Sequence, residues 1–182
     1  MKITPERARE ILATSALVHS EDAVQEGIRR VAADITARLE HENPVVLCVM
    51  AGGVIFAGQL LPKLAFPLDF DYLHASRYHQ ETSGSTLSWR VAPWISVKDR
   101  TVLVLDDILD EGVTLSAVRN RLMQMGARAC LTAVLVEKTR EQKKPISADF
   151  VALTVPDRYV FGAGMDIHGA WRNLPAIYAF TA

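Results

Sequence analysis

The sequence predicts an α/β fold in which a central parallel sheet is flanked by helices. Three aliphatic runs, at residues 45–50, 102–105 and 130–136, show no alternation of polar and apolar side chains. Such runs are typical of strands that are buried on both faces of a parallel sheet. The first two runs each lead through a short polar or glycine-containing segment into a helical pattern. This strand–helix alternation favours a parallel sheet.

The composition is that of a single soluble globular domain. The chain has 182 residues, of which 49% are hydrophobic and 23% are charged, and this length allows one sizeable core. The formal net charge of -1 gives no overall positive field that would attract nucleic acid. No apolar run is long enough to span a bilayer, and the first residues lead into a charged helix rather than a signal peptide. We therefore expect a cytoplasmic protein without nucleic-acid or membrane partners.

Two helices are predicted before the first strand. Thr4 offers a hydroxyl cap and Pro5 takes the first helical position, so a helix begins there and ends near Thr14. The second helix begins at Ser20, and its apolar residues recur at spacings of three and four. Those residues are Val24, Ile28, Val31, Ile35 and Leu39. Both helices are expected to serve as scaffold.

A glycine pair follows the first predicted strand. Gly52 and Gly53 come between the run at 45–50 and a helical pattern at 54–64. Glycines at such a junction let backbone N–H groups approach an oxyanion without obstruction by side chains. A tight strand-to-helix turn also requires glycine for steric reasons alone. The glycine pair alone is compatible with both a phosphate-binding loop and a plain turn.

A long polar segment interrupts the middle of the chain. Residues 68–75 alternate as a strand does, residues 76–85 show neither a helical nor a strand period, and residues 86–91 are again extended. Loops of this length in a compact domain are often lids that exclude water from a reaction. The alternative is a tolerated surface loop.

The segment that follows the strand at 102–105 carries a cluster of carboxylates. Asp106, Asp107, Asp110 and Glu111 are followed by Gly112, and a helix is predicted at 115–125. Like charges this close repel by about 1 kcal/mol or more per pair, so they require a cation, hydroxyl donors or open water. We interpret the segment as an acidic turn that binds a phosphate and a group bearing hydroxyls or metal. The alternative is a solvated acidic loop.

The last third of the chain adds further strands. The run at 130–136 ends at Glu137 and Lys138, and a lysine there is either a ligand or a solvated strand end. Further extended segments are predicted at 149–155, 159–162 and 176–180. The strands near the two chain ends are candidates for a separate small lobe.

Residues 104–114, VLDDILDEGVT, closely resemble the phosphoribosyl pyrophosphate (PRPP) signature of the type I phosphoribosyltransferases. The purine salvage branch, hypoxanthine-guanine phosphoribosyltransferase, is the best match within that family. Further blocks occur in the same order as in that family, and the resemblance covers about residues 44–180. These blocks are the glycine pair, the lid segment, residues 137–138, residues 156–162 with Asp166, and residues 172–175.

This resemblance implies the type I phosphoribosyltransferase fold, as one domain over 1–182. Its core would span about 44–155, and a small hood lobe would be formed by about 1–15 and 156–182. The implied reaction is a Mg²⁺-dependent transfer of 5-phosphoribose from PRPP to N9 of hypoxanthine or guanine, giving IMP or GMP and pyrophosphate. The partners would be PRPP and a 6-oxopurine base, and the protein would be a homodimer or homotetramer.

The resemblance also assigns roles to individual residues. Asp110 would be the catalytic residue beside the base, while Asp106 and Asp107 would hold the ribose and, together with Asp166, bind metal. The 5-phosphate would be bound by Glu111, Gly112, Val113 and Thr114. The purine would be bound by Lys138, Tyr159, Val160 and Asp166, with Lys138 donating to the 6-oxo group. Pyrophosphate would be bound by Ala51, Gly52, Gly53, Ser76, Arg77, Tyr78 and Arg172.

Three positions depart from the family pattern. Ala51 replaces a basic residue that many members carry before the two glycines, Glu111 replaces a threonine, and the lid reads Ser76-Arg77-Tyr78 rather than an adjacent Ser-Tyr pair. One hypothesis is that Arg77 replaces the missing basic group.

Two other functions remain open at this point. One is a regulator of the same fold that senses PRPP or nucleotides without catalysis, as some relatives do. The other is a phosphoribosyltransferase for xanthine or uracil. The first is disfavoured because no cluster of lysine, arginine and aromatic residues stands out.

Overall fold

The computed structural model of the protein describes residues 3–78 and 86–181. The helices are α1 (Pro5–Thr14), α2 (Glu21–Leu39), α3 (Val54–Leu60) and α4 (Val113–Gln124). The strands are β1 (Ala16–His19), β2 (Val45–Val49), β3 (Asp69–Tyr78), β4 (Thr86–Val91), β5 (Thr101–Leu109), β6 (Ala129–Lys138), β7 (Phe150–Val155), β8 (Val160–Phe161) and β9 (Ile177–Ala179). A single 3₁₀ turn, Leu61–Lys63, extends α3.

The central sheet has six strands in the order β4-β3-β2-β5-β6-β7. All neighbouring strands are parallel except β3 and β4, which pair antiparallel. The predicted α/β fold with a central parallel sheet is thus confirmed, and the antiparallel edge strand belongs to the excursion that encloses the predicted lid.

Helices cover both faces of this sheet. The alternation of side chains along β2 sends Val46 and Cys48 toward α2 and α3, and sends Val45 and Leu47 toward α4. All five residues of β2 are buried. This double burial explains why the strand reads as a continuous apolar run. Among the described residues, no helix combines the length and the apolar character that crossing a membrane requires.

A second, small sheet joins the two ends of the chain. Its order is β1-β9-β8, and both pairings are antiparallel. Helix α1 packs beside it, where the indole nitrogen of Trp171 donates a 2.7 Å hydrogen bond to the carbonyl oxygen of Ala8. Trp171 is half-buried and packs on Ile11 and Phe161. Strand β1 was not predicted, because four residues between two helices carry no period.

Two strands run further than the sequence predicts. The acidic segment was interpreted as a turn beginning at Asp106, yet β5 continues to Leu109, so Asp106 and Asp107 lie within the strand. The extension is supported by β6, whose Glu137 pairs with Leu109, whereas pairing to β2 stops at Leu105. Strand β3 likewise extends to Tyr78 because β4 pairs with it there.

We predict opposite effects for alanine at two helical glycines. Gly27 of α2 is buried, and a Cβ there would lie 3.0 Å from the carbonyl oxygen of Ala152 in β7, whereas a Cβ at Gly58 of α3 would enter open space. Gly58→Ala should therefore stabilise the protein by about 0.5–1 kcal/mol through helix propensity. Gly27→Ala should destabilise it by about 1–3 kcal/mol through overpacking.

Urea denaturation at equal protein concentration measures both changes. Equal midpoints for the two variants would show that α2 does not press on β7 at Gly27.

Candidate active site

Two cavities adjoin at the carboxyl ends of β2, β5 and β6. The smaller has a volume of about 220 Å³ and the larger about 520 Å³. Both are lined by Asp107, Ile108, Asp110 and Asp166. Open parallel sheets bind ligands at this edge. The structure thus brings together most of the site residues that the sequence predicts.

The larger cavity collects the residues predicted to bind PRPP. Two loops and strand β5 meet there so closely that a Cβ on Gly52 would collide with the carboxylate of Asp107, and one on Gly164 would collide with the carbonyl oxygen of Gly52. Its lining includes Ala51, Gly52, Asp106, Glu111, Gly112, Thr114 and Arg172. The Met50–Ala51 peptide bond in the first loop is cis.

Two residues predicted for this region do not line the cavity. Gly53 is buried beneath the loop, and its N–H donates to the carbonyl oxygen of Val49, 3.0 Å away. Val113 is the first residue of α4 and its side chain is exposed. Ser76, Arg77 and Tyr78 close strand β3, but their side chains lie outside the described residues, as does all of segment 79–85. The role of Arg77 stays a prediction.

Helix α4 points its N-terminus at the larger cavity. Gly112 takes a left-handed conformation, with φ of 79°, and Ser116 donates to its carbonyl oxygen as the first turn forms. This turn directs the chain from the acidic end of β5 into the helix. Backbone N–H groups at a helix N-terminus, together with the helix dipole, favour a bound phosphate. Thr114 lies in the first turn and adds a hydroxyl to the cavity wall.

Asp106 and Asp107 are adjacent carboxylates with little access to water. Desolvation raises the pKa of Asp106 well above its ordinary value, and the charge of Asp107 raises it further. Desolvation also raises the pKa of Asp107, although a hydrogen bond with Asp106 and the charge of Arg172 act in the opposite direction. A cation or hydroxyl donors beside this pair would favour the ionised forms.

Arg172 connects two segments of the larger cavity. Its guanidinium forms an ion pair with Asp166, lies 3.8 Å from Asp107 Oδ2, and donates a 2.7 Å hydrogen bond to the carbonyl oxygen of Gly164. A planar guanidinium in such a position matches the geometry of phosphate oxygens. Arg172 therefore holds the loop at 164–166 against the end of β5 and also offers positive charge to the cavity.

The carboxylates of the larger cavity suit Mg²⁺ only if water and substrate oxygens complete its coordination. In the part of the chain that the structure describes, no three histidine, cysteine, aspartate or glutamate side chains form a metal-binding group. Mg²⁺ commonly takes one or two carboxylates and completes its octahedron with water and substrate oxygens. Asp106, Asp107 and Asp166 provide such carboxylates on the cavity wall.

The smaller cavity has the lining expected of a site for a flat base. Tyr159 exposes 52% of its surface and donates its hydroxyl to the carbonyl oxygen of Asp166, 3.1 Å away. Val160 and Met165 add apolar surface, and Lys138 provides an ammonium group. An aromatic face, apolar walls and a few polar groups are typical of pockets for planar ligands.

Asp110 is held by two cations at the boundary of the two cavities. Lys138 Nζ lies 2.7 Å from its Oδ2 atom and Arg140 Nη1 lies 2.6 Å from its Oδ1 atom. Desolvation opposes the charged form of Asp110, but the hydrogen bonds and charges of Lys138 and Arg140 outweigh it. The pKa of Asp110 is therefore lowered from its ordinary value.

Sequence reasoning missed several residues of this site. Arg140 follows Lys138 by two positions, the spacing that returns a side chain to the same side of an extended chain, and this was a usable signal. Asp157 contacts both cations, at 3.9 Å from Lys138 and 3.5 Å from Arg140. His74 lines the larger cavity, and no feature of its surroundings in the sequence indicated this.

Asp110, Lys138, Arg140 and Asp157 form a charged cluster. Glu111, which replaces the threonine of the family pattern, acts on this cluster. The hydrogen bond to Asp110 raises the pKa of the Arg140 guanidinium, and the charges of Asp157 and Glu111 act in the same direction.

Lys144 supports the cluster from behind. Its ammonium group contacts the carbonyl oxygens of Leu109 and Lys138, at 3.2 and 2.6 Å, and the carboxylate of Glu137 at 3.0 Å. Only 11% of its side chain is exposed. Lys144 therefore ties the end of β5 to the end of β6, next to Asp110 and Lys138.

Comparison with known proteins agrees with this arrangement. Residues 17–168 match the family described as the phosphoribosyl transferase domain, and this match spans most of the chain. The chain belongs to the phosphoribosyl transferase family. The resemblance seen in the PRPP signature is thereby confirmed, and the cavities lie at the motif of that family.

Individual phosphoribosyltransferases of the purine salvage type are similar over nearly the whole chain. The hypoxanthine-guanine-xanthine phosphoribosyltransferase of Tritrichomonas foetus is 33% identical over 162 residues, covering 88% of each chain. The bifunctional protein TilS/HprT of Listeria innocua is 34% identical over 159 residues, which are 87% of this chain but 24% of that protein. A crystal structure of a Staphylococcus aureus hypoxanthine phosphoribosyltransferase superposes with a TM-score of 0.85 at 25% identity, covering 91% of this chain and 90% of that one.

We predict that Lys144→Met destabilises the protein by about 1–3 kcal/mol, because two carbonyl oxygens and the Glu137 carboxylate lose their common donor in a half-buried place. Lys143→Met removes the same charge from an exposed neighbouring side chain and should change stability by less than about 0.5 kcal/mol. Urea denaturation of both variants tests this difference. Equal stability of the two variants would show that the contacts of Lys144 do not stabilise the protein.

Proposed function

We propose that the protein transfers 5-phosphoribose from PRPP to N9 of a 6-oxopurine, hypoxanthine or guanine, giving IMP or GMP and pyrophosphate. The observation that carries this proposal is the position of Asp110 and Lys138. They stand where a small aromatic-lined cavity opens into a larger cavity with a helix N-terminus and an arginine. The names of the similar proteins, which contain hypoxanthine, guanine and xanthine, support the same class of base.

The smaller cavity would bind the base. The ring would stack on Tyr159, and Lys138 would donate a hydrogen bond to the exocyclic 6-oxo group. Adenine carries an amino group at that position, and two donors facing each other would disfavour it. Asp110 would accept a hydrogen bond or a proton from a ring nitrogen of the purine, which needs only a short reach.

The larger cavity would bind PRPP. The 5-phosphate would lie against the N-terminus of α4 at residues 111–114, and the ribose hydroxyls would lie beside Asp106 and Asp107. The leaving pyrophosphate would meet Arg172 and the loop at Ala51 and Gly52. This orientation places the anomeric carbon at the boundary between the two cavities, next to Asp110.

The residues of the site suit the charges that develop in the reaction. The anomeric C–O bond breaks and its electron pair leaves with pyrophosphate, while a bond forms between the anomeric carbon and N9. Positive charge on the ribose ring would be stabilised by Asp106 and Asp107, and negative charge on pyrophosphate by Arg172. Mg²⁺, held by carboxylates among Asp106, Asp107 and Asp166, would supply further positive charge to the phosphate oxygens.

We also propose that the protein is a cytoplasmic homodimer or homotetramer. Exposed apolar side chains along β3, at the end of β4 and just after β4 support association, and Trp94 exposes 95% of its surface. The others are Phe70, Tyr72 and Val91. Light scattering of the purified protein would measure the mass of the assembly.

The substrate is tested by incubating the protein with PRPP, Mg²⁺ and each of hypoxanthine, guanine, xanthine, adenine and uracil. We expect nucleotide formation with hypoxanthine, guanine or both, and none with adenine, for which Lys138 is the wrong partner. Turnover of xanthine or uracil alone would assign another base within the same enzyme class. A protein that binds PRPP but converts none of the five bases would be a regulator of this fold.

Asp110→Asn tests the role of the residue beside the base. We expect kcat to fall by about 10²-fold or more, because the neutral amide is a poor proton acceptor, while the KM for PRPP changes much less. Steady-state kinetics with varied PRPP separates the two effects. A variant with unchanged kcat and a raised KM for PRPP would remove Asp110 from the proton-accepting role.

A further inference from the structure

Both carboxylate oxygens of Asp110 are occupied by protein cations. Lys138 Nζ takes Oδ2 at 2.7 Å, and Arg140 Nη1 takes Oδ1 at 2.6 Å. The side chains of Lys138 and Arg140 are only 11% and 20% exposed, so these pairs are partly protected from water. The proposed reaction does not require Arg140 to bind the base, because Lys138 alone can donate a hydrogen bond to the 6-oxo group.

The proposed reaction makes conflicting demands on Lys138. When its ammonium group turns toward the oxygen of the base, Asp110 loses one of its two counter-charges. Burial would then favour protonation of Asp110, and a protonated carboxyl cannot accept a proton from the purine. A second cation that stays in place resolves this conflict.

Arg140 is anchored in a way that Lys138 is not. Its Nη1 atom contacts Asp110, and a second nitrogen of the same guanidinium, Nε, lies 3.5 Å from Asp157 Oδ2. Lys138 lies 3.9 Å from Asp157 and sits on the wall of the smaller cavity, where a base would reach it. A guanidinium fork held at two edges keeps its orientation, whereas an ammonium group on a flexible stem can change partners.

We infer that Arg140 is a positioning residue that keeps Asp110 ionised and directed at the base while Lys138 moves from Asp110 to the 6-oxo oxygen. This inference rests on the proposed function. The groups that face Asp110 are Lys138 and Arg140, with Asp157 and Glu111 behind them. Lys144 holds the carbonyl oxygen of the preceding residue, Leu109, but does not contact the Asp110 carboxylate.

The sign of the pH effect follows from these contacts. The two cations lower the pKa of Asp110 against the effect of burial, so removal of one cation raises it. Activity that needs ionised Asp110 is present above its pKa and is lost as the pH falls through it. The acidic limb of the pH–activity profile should therefore move to higher pH when Arg140 is replaced by an uncharged residue. The shift should be largest when Lys138 is hydrogen-bonded to the base.

Arg140→Met is the main test, with Lys143→Met as the matched control, since Lys143 is an exposed cation in the same loop. We expect Arg140→Met to move the acidic limb of kcat upward by about one pH unit and to lower kcat by about tenfold above the limb. The KM for PRPP should change by less than about twofold, because Arg140 does not line the larger cavity. Lys143→Met should leave the limb and kcat unchanged.

Arg140→Lys provides a second variant, which retains the charge but not the fork. It should restore the position of the acidic limb and only part of kcat. An acidic limb and kcat in Arg140→Met that equal those of the wild type would overturn the inference, while turnover of 6-oxopurines by the wild type would leave the proposed function standing.

A measurement that does not depend on turnover separates the role of Arg140 from the proposed function. The carboxyl carbon of Asp110 can be titrated by NMR in the wild-type protein and in Arg140→Met. A higher pKa in the variant supports the ionisation role even if no base is converted, which would contradict only the proposed function. An identical pKa in both proteins contradicts the inference.

Discussion

The site depends on where hydrogen bonding between β2 and β5 stops. Strand β5 is central in the sheet, but its pairing with β2 ends at Leu105, while its pairing with β6 continues to Leu109. Beyond Leu105 one edge of the strand faces a cleft instead of a neighbour. Asp106 and Asp107 can be carried by a core strand only because this cleft gives their carboxylates access to a ligand or cation, since charged groups without a partner are not tolerated in the interior.

Acidic groups outnumber cations around the cleft, and each of the two arginines there lies beside two aspartates. Arg172 lies between Asp107 and Asp166, and Arg140 between Asp110 and Asp157. Each guanidinium thus links the carboxyl end of β5, or the residue directly after it, to a later segment of the chain. These links orient the carboxylates before any substrate is present, and preorganised charge is a main source of catalytic stabilisation.

The sequence was sufficient for the parts of the molecule that carry a local signal. Unalternating apolar runs located the buried strands, and the cap at Thr4 with Pro5 located α1. The PRPP signature placed Asp107 and Asp110 in the cleft. Strand β1 and the extension of β5 could not be predicted, because they exist through pairing with β9 and β6, which are distant in sequence. The spacing of Arg140 from Lys138 indicated its side of the chain, but its partner Asp110, 30 positions away, could not be read from the sequence.

The small sheet imposes an order on assembly. Its middle strand, β9, comes after both of the other strands in the sequence, so β1 and β8 each have no neighbour in that sheet until residues 177–179 are added. Arg172, which closes the larger cavity, lies between β8 and β9. During synthesis the central sheet can form as its strands emerge, since chains fold from the N-terminus onward. The cleft between the two sheets becomes competent only after residues 177–179 have been added, so a product truncated before them would keep a core and lack a working site.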